Sequence, residues 1–141
     1  MFVLDTDHIS VLERADSGER ARLIHRLDHA GVQMLVTTVV TYEEQTRGWL
    51  AYVATAKTMA REVMAYRRLW LHLETYRRLV VLEYDPPAAE HFRRLQSARI
   101  KIGTFDLRIA SIALANGAIL LSRNLKDFEK IPDLNVENWL D

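Results

Sequence analysis

The fold is decided by the stretch Phe2-Val3-Leu4-Asp5-Thr6-Asp7. It begins with a short apolar run that is typical of a buried strand, and the run stops at an acid. Similar runs follow at Met34 to Val36, Leu79 to Tyr84, Ala118 to Leu121 and Leu134 to Val136. Helical segments separate the runs, and this alternation predicts a parallel sheet with helices on both faces. We therefore predict a single three-layer α/β/α domain over residues 1–141, with a sheet of about four to five strands.

Local signals mark where the helices begin and end. His8 to Leu12 begins the first helix, Asp16-Ser17-Gly18 interrupts it, and Gly31 is a suitable stop for its continuation. Thr37-Thr38 supplies hydroxyl groups that can cap the helix after the second strand, and Thr104 is predicted to cap the helix before the fourth strand. Parallel strands require long connections of this kind.

An apolar stripe marks the middle of the chain. Its members recur at helical spacing, which predicts one continuous helical face: Tyr52, Met59, Val63, Tyr66, Trp70 and Leu73. We expect this stripe to pack in the core or against a second copy of the chain, rather than to stack on RNA bases. The opposite face should be exposed, and it carries Lys57, Arg61 and Arg68.

Composition and charge narrow the classes of function. The chain has no cysteine, which excludes disulfides, thiolate metal sites and cysteine nucleophiles and fits a reducing cytoplasm. Neither a secretory leader nor an apolar run near the ~20 residues of a membrane span is expected, so we predict a cytoplasmic protein. With 19 basic and 19 acidic residues, any attraction to nucleic acid must be local. Arg67 and Arg68 are candidates for contact with RNA phosphates, although such arginine-rich faces are usually only solvated.

Acids stand at the ends of several predicted elements. Asp5 and Asp7 follow the first strand, Glu44 lies early in the helix after the second, and Asp106 begins the helix before the fourth. Because ligands of parallel sheets bind beyond the carboxyl ends of the strands, we expect these carboxylates to converge there. Taken singly, Asp5 also suits a helix cap and Asp106 the positive end of a helix dipole. Their joint placement favours a functional site.

A cluster of carboxylates predicts a metal ion. Neighbouring carboxylates repel and shift one another's pKa unless a cation joins them, and oxygen ligands suit Mg²⁺ or Mn²⁺. Such an ion can bind a phosphodiester oxygen, orient an attacking water and lower the pKa of that water. The pattern therefore predicts metal-dependent cleavage of phosphodiester bonds.

Four stretches resemble the successive motifs of PIN domains, and they match the VapC-type toxins best. They are Phe2 to Ser10, Thr37 to Glu44 with Gly48 four residues on, Gly103 to Ala110, and Leu121 to Phe128. The resemblance extends from Phe2 to about Trp139, in the order and at the spacing of that family. It implies a PIN-like fold and an Mg²⁺-dependent endoribonuclease, with Mn²⁺ as a second possible metal. It further implies that the protein is a toxin that cleaves RNA, pairs as a homodimer and is silenced by a small antitoxin protein.

The same resemblance assigns the site residues. Asp5, Glu44 and Asp106 are the metal-binding acids, and Asp127 is a further candidate catalytic residue. Many relatives have an acid after the fourth strand where this chain has Asn124, with Asp127 three residues later. Asn124 or Asp127 could complete the site through a water molecule, or neither of them takes part.

Other positions near these motifs have less certain roles. Glu43 is a rival for Glu44, which is favoured because it aligns with the helix acid of the family and shares a face with Val40 and Gly48. Asp7 occupies a position that is commonly Asn in the family, so this chain adds a possible negative charge beside the metal.

Hydroxyl side chains are expected to orient the carboxylates, because metal sites need donors around their ligands. The candidates are Thr6, Ser10 and Ser122. The histidines lack metal-ligand spacing and are expected to be ordinary surface or boundary residues without a catalytic role: His8, His25, His29, His72 and His91.

Two other functions stay open. Asp5-Thr6-Asp7 after a strand also resembles the nucleophile and acid pair of haloacid-dehalogenase phosphatases, with Asp5 as the nucleophile. Against this, no lysine stands near the third strand and no paired acids follow the fourth. A non-catalytic PIN-like module that binds RNA or protein is suggested by Asn124, while retention of the three acids argues against it.

Overall fold

The computed structural model describes residues 1–14 and 17–141 and contains one parallel sheet in that part of the chain. The strands are β1 (Phe2–Leu4), β2 (Val36–Thr38), β3 (Val80–Leu82), β4 (Ile119–Leu121) and β5 (Asn135–Glu137). Their order is β3-β2-β1-β4-β5, and all neighbouring pairs are parallel. The predicted α/β fold with a parallel sheet of about four to five strands is confirmed.

Helices connect the strands, and most begin with a side-chain cap. They are α1 (Thr6–Glu13), α2 (Gly18–His29), α3 (Val39–Thr55), α4 (Met59–Tyr76), α5 (Pro86–Ser97), α6 (Thr104–Ala115) and α7 (Leu125–Phe128). The Oγ1 of Thr38 accepts a hydrogen bond from the backbone N–H of Thr41, which confirms the predicted cap of α3. Gly31 has a φ of +73°, the left-handed conformation that suits the residue after a helix end.

Two apolar cores cover the two faces of the sheet, because alternate residues of a strand point to opposite faces. Val3 and Leu120 face a core formed with α3, α5 and α6. Leu4 and Leu121 face a second core formed with α1, α2 and the C-terminal residue pair Trp139-Leu140. The sheet therefore forms the middle layer of three, as predicted.

The second strand starts later than predicted. The sequence favoured Met34 to Val36, but Met34 is exposed and the strand runs through two buried threonines. Thr37 is fully buried because its hydroxyl donates a 2.7 Å hydrogen bond to the carbonyl oxygen of Leu4. The hydroxyl is thus satisfied inside the sheet, and a β-branched residue suits that position.

The apolar stripe belongs to two helices. Of its two expected coverings, the core is wrong, and contact with a second copy of the chain stays a prediction. α3 ends at Thr55 and α4 begins at Met59, where the side chain of Thr58 caps the new helix. The stripe side chains on α4 lie on the surface of the monomer, with Met59 83% and Trp70 49% exposed. Helical spacing detects an apolar face, and it does not identify what covers that face.

Three smaller differences concern helix ends. Gly103, without a side-chain hydrogen bond, precedes α6 and Thr104 is its first residue, so the predicted Thr104 cap is wrong. The first helix begins at Thr6, before His8, because Asp5 caps it. Of the predicted Asp16-Ser17-Gly18 break, Asp16 lies outside the described residues, and Ser17 caps α2.

Among the described residues, the helices are too short or too polar to cross a membrane.

Candidate active site

The candidate site lies where the strand order of the sheet reverses. The chain passes from β1 to β2 and β3 on one side, and β4 then pairs with the other side of β1. In parallel sheets such a reversal leaves a crevice beyond the carboxyl ends of the two central strands. Asp5 follows β1 at this edge and Ser122 follows β4, and the hydroxyl of Ser122 donates a 2.8 Å hydrogen bond to Oδ2 of Asp5.

Asp5 is a buried acid whose carboxyl oxygens both accept hydrogen bonds. Oδ1 accepts from the backbone N–H of Thr6 at 2.7 Å, so Asp5 also acts as the helix cap of α1. The residue is only 5% exposed. Burial first, and the charge of Asp7 second, raise the pKa of Asp5 to about 7, against the opposing hydrogen bonds from Thr6 and Ser122. A buried acid that repels its neighbours in this way favours a cation nearby.

Glu44 and Glu43 point in different directions from α3. Oε1 of Glu44 accepts a 2.6 Å hydrogen bond from the hydroxyl of Thr6, which brings Glu44 to the edge where Asp5 lies. Glu43 forms a 2.9 Å ion pair with Arg47 one turn later, and Arg47 is largely exposed. The structure therefore brings Glu44 into the acidic cluster and leaves Glu43 at the surface.

Asp106 lies in the first turn of α6 and is held by Asn124. The amide nitrogen of Asn124 donates 3.1 Å hydrogen bonds to Oδ2 of Asp106 and to Oδ2 of Asp127. Burial first, and the charge of Glu44 second, raise the pKa of Asp106 above its usual value. Asp106 therefore shares the electrostatic environment of the acid on α3, although the two residues are far apart in the sequence.

Asp127 lies at the margin of this group. Its pKa is below the usual value because Asn124 and Lys130 donate hydrogen bonds to its carboxylate. Its link to Asp106 runs through Asn124. Its predicted catalytic role stays a prediction, and its position fits an indirect role.

Asp7 lies beside Asp5, and its carboxylate is held by His8 and Arg123. Its Oδ1 lies 2.6 Å from Nδ1 of His8, and its Oδ2 accepts a 2.8 Å hydrogen bond from the backbone N–H of Arg123. Burial would raise the pKa of Asp7, but the hydrogen bonds from His8 and Arg123 outweigh it, and the pKa lies below the usual value. Asp7 is therefore a well-stabilised carboxylate.

Two histidines differ from the sequence-based expectation. His8 is fully buried and His72 is 2% exposed, so neither is a surface or boundary residue. His72 packs parallel to the ring of Tyr42, and its Nε2 lies 2.8 Å from the hydroxyl of Thr46. Sequence reasoning missed the burial of both histidines. His8 has one neighbouring partner, Asp7, but its other partner, Trp139, and the partners of His72 lie in distant parts of the chain.

Other polar side chains near the site form a separate buried group. The hydroxyl of Tyr76 donates a hydrogen bond to Oε1 of Gln45, whose amide nitrogen lies 3.4 Å from the hydroxyl of Ser10 and 3.5 Å from Oε1 of Glu13. Ser10 therefore bonds to Gln45 and is not among the donors to the acids. Of the predicted donors, Thr6 and Ser122 contact site carboxylates.

The carboxylates do not converge on a single point. In the described part of the chain, no three Asp, Glu or His side chains are arranged so that they could together hold a metal ion as they stand. Each acid is instead held by a neighbouring donor, Asp5 by Ser122 and Glu44 by Thr6. The site is thus an acidic cluster with hydrogen-bonded carboxylates at the edge of the sheet.

Comparison with known families agrees with this architecture. A family model described as the PIN domain matches residues 2–134, which is nearly the whole chain. The chain belongs to the PIN domain family.

Curated relatives match one part of the chain. Ribonuclease VapC2 of Haemophilus influenzae is 40% identical over 67 residues, which are 45% of this chain and 51% of that protein. The tRNA(fMet)-specific endonuclease VapC of Salmonella typhimurium is 36% identical over 66 residues, 44% of this chain and 50% of that protein. The chain therefore spans about half the length of the curated relatives it matches.

Solved PIN-domain structures match over almost the full length. The DNA-bound VapBC of Salmonella typhimurium superposes with a TM-score of 0.74 at 26% identity, covering 98% of this chain and 97% of that chain. The VapBC-1 structure from nontypeable Haemophilus influenzae has a TM-score of 0.71 at 26% identity, covering 99% and 98%. The predicted resemblance to PIN domains of the VapC type is confirmed.

Proposed function

We propose that this PIN-domain chain is a metal-dependent endoribonuclease and the toxin of a toxin–antitoxin pair, hydrolysing RNA phosphodiester bonds in the cytoplasm. The observation that carries the proposal is the acidic cluster itself. Burial first, and then the charges of Asp7 and Asp106, raise the pKa of Asp5, and burial followed by the charge of Glu44 raises the pKa of Asp106. Mutual repulsion of this kind is relieved by a divalent cation. The ribonuclease and endonuclease names of the curated relatives support the same conclusion.

The donor set fits Mg²⁺ or Mn²⁺ by its chemistry. Asp5, Glu44 and Asp106 offer carboxylate oxygens, which are the ligands that both ions prefer. They come from three different elements, the end of β1, α3 and α6. Three protein acids would leave room in the coordination sphere for substrate and water. A bound ion would neutralise charge on the phosphodiester and lower the pKa of an attacking water.

The chain's own contribution is a hydrogen-bond donor beside each of the three carboxylates. Thr6 fixes one oxygen of Glu44, Ser122 fixes one oxygen of Asp5, and Asn124 fixes one oxygen of Asp106. Donors of this kind orient ligands and usually affect metal affinity by about 10- to 100-fold when removed. The amide of Asn124 thus supports the site as a hydrogen-bond donor to Asp106.

The partners follow from the same assignment. The matched solved structures are of VapBC toxin–antitoxin complexes, which supports a small antitoxin protein as a partner of this chain. A homodimer is supported by the exposed stripe on α4, where Val63 is 66%, Tyr66 55% and Leu73 52% exposed. Contiguous exposed apolar side chains of this kind mark protein contacts more often than free surface.

The phosphatase alternative has no observation in its favour. The match of residues 2–134 to the PIN domain argues against it, and no lysine near the third strand or paired acids after the fourth support it. A binding-only module would not require the three buried or half-buried acids that repel one another at one edge of the sheet.

The proposal is tested by incubating the purified chain with a mixed RNA pool in Mg²⁺, in Mn²⁺ and in excess EDTA. We expect cleavage only with metal, and loss of at least about 100-fold in Asp5→Asn, Asp106→Asn and Glu44→Gln, since removal of a metal ligand outweighs the loss of an outer donor. Glu43→Gln is the matched control for Glu44→Gln, because it makes the same chemical change one residue away at the surface. Intact RNA in every metal, with folded protein, would overturn the proposal.

A further inference from the structure

The C-terminal residues are tied to the acidic cluster through a buried histidine. Trp139 and Leu140 are 5% and 0% exposed and pack against β1 and α2, and the ring of Trp139 lies 4.8 Å from that of Phe2. The backbone N–H of Trp139 donates a 3.2 Å hydrogen bond to Nε2 of His8, which is fully buried. A segment 131 residues away in sequence thus contacts the first turns of α1.

The direction of this hydrogen bond fixes the ring proton of His8. A backbone N–H can only donate, so Nε2 of His8 must accept and carries no proton. The ring proton therefore lies on Nδ1, which donates to Oδ1 of Asp7 at 2.6 Å. The two ring nitrogens of His8 therefore connect the C-terminal backbone to the carboxylate of Asp7 by hydrogen bonds.

The other oxygen of Asp7 holds the segment that follows β4. Oδ2 accepts from the backbone N–H of Arg123 at 2.8 Å and lies 3.4 Å from the hydroxyl of Ser122. That hydroxyl accepts a 3.1 Å hydrogen bond from the N–H of Asn124, and its single proton goes to Asp5 at 2.8 Å. Asp7 therefore connects His8 to the backbone that follows β4.

We propose that Asp7 and His8 form a clamp that ties the C-terminal segment to Asp5 through Ser122, and that both are positioning residues and neither is a metal ligand. The inference rests on the proposed function for its link to metal binding. Its core is the hydrogen-bond chain from Trp139 through His8 and Asp7 to the residues after β4, which is independent of any activity. The clamp makes the geometry of Asp5 depend on the end of the chain.

The first test is the binding of Mn²⁺ to purified wild type, Asp7→Asn and His8→Phe, measured by titration calorimetry well below the unfolding temperature. We expect both variants to weaken Mn²⁺ binding by roughly tenfold, as loss of outer-shell partners does. The matched controls are Asp28→Asn and His25→Phe, which make the same changes on the exposed surface of α2. Loss of affinity in Asp7→Asn alone would make Asp7 a ligand and overturn the proposal. Unchanged affinity in both variants would reduce the clamp to a purely structural anchor and also overturn it.

The second test needs no metal and therefore separates this inference from the proposed function. Long-range proton–nitrogen NMR correlations of His8 report which ring nitrogen carries the proton, and we expect Nδ1. In Asp7→Asn, the amide that replaces one oxygen cannot satisfy both neighbours, so we expect the His8 signals to change. The unfolding equilibrium constants of Asp7→Asn, His8→Phe and the double variant should not combine independently. We expect the constant of the double variant to differ roughly tenfold from the value that the two single changes give together. A proton on Nε2, or additive effects of the two changes, would overturn the clamp even if the protein cleaves RNA.

Discussion

Replacing Asp5 by Asn is predicted to make the metal-free protein more stable at neutral pH. The pKa of Asp5 is raised from its ordinary value of 3.8 to about 7, because the carboxyl group is buried beside other acids. Between these two values the folded protein holds a proton at Asp5 that the unfolded chain has released. The folded state therefore loses stability as the pH rises through this window, and the loss is complete above about pH 7.

The magnitude follows from the same two pKa values. From pH 5 to pH 8, wild type should lose about 3 kcal/mol of unfolding free energy relative to Asp5→Asn, at 1.36 kcal/mol for each pKa unit. Asn keeps an oxygen to accept from the N–H of Thr6, and its amide can donate to the hydroxyl of Ser122. The variant is therefore expected to fold. His72, whose pKa burial lowers below its ordinary value, changes stability in the opposite direction, but it is common to both proteins.

The assay is urea unfolding in EDTA at closely spaced pH values, with circular dichroism as the readout and equal m values as the check of two-state behaviour. We expect the two stability curves to separate progressively between pH 5 and pH 7 and to run parallel above. Saturating Mn²⁺ should remove most of the loss in wild type and leave Asp5→Asn almost unchanged. A difference between the two proteins that is constant from pH 5 to pH 8 would refute the reasoning about Asp5.

Three further changes test other parts of the structure. Ser122→Ala removes a hydrogen bond from Asp5, so we expect a still higher pKa for that acid and about 10- to 100-fold weaker metal binding by calorimetry, with exposed Ser97→Ala as the unaffected control. Asn124→Asp replaces the amide that donates to Asp106 and Asp127 by a third carboxylate. We expect calorimetric scans to show a lower melting temperature than that of wild type in EDTA, and Mg²⁺ to restore the wild-type value. Equal melting temperatures of the two proteins in EDTA would contradict this. Trp70→Glu places a charge on the exposed stripe and should convert a homodimer to monomer in light scattering, whereas a variant that stays dimeric would locate the interface elsewhere.

The sheet could be predicted from the sequence because its strands carry their signal locally. Phe2-Val3-Leu4 and Ile119-Leu120-Leu121 are apolar at consecutive positions, as strands covered on both faces must be. The second strand was predicted too early because it contains two buried threonines, which look polar in sequence. The hydroxyl of Thr37 is bonded inside the sheet to Leu4, and that of Thr38 is bonded to Thr41 on α3. Hydropathy cannot register a hydrogen bond to a distant carbonyl.

The acids of the candidate site were visible for a related reason. Asp5 directly follows a strand, and Glu44 and Asp106 each lie early in a helix, so chain order indicated that they would lie at the same edge of the sheet. Helical spacing could not choose between Glu43 and Glu44, and the preference for Glu44 came from the family resemblance. In the structure Glu44 bonds to Thr6, whereas Glu43 pairs with Arg47. The role of His8 could not be predicted, since its acceptor nitrogen binds a backbone N–H at Trp139, far along the sequence.

The site also explains why folding and function can be separated in this protein. Asp5 sits where the strand order reverses, in a position that is 5% exposed and close to other acids, so its charge costs stability unless a cation is present. A residue retained only for the fold would be better as Asn, which caps α1 equally well and carries no charge. The same substitution is therefore predicted to stabilise the metal-free protein and to abolish cleavage. That opposition is expected of a group kept for binding metal, and it would not arise if Asp5 were only a helix cap.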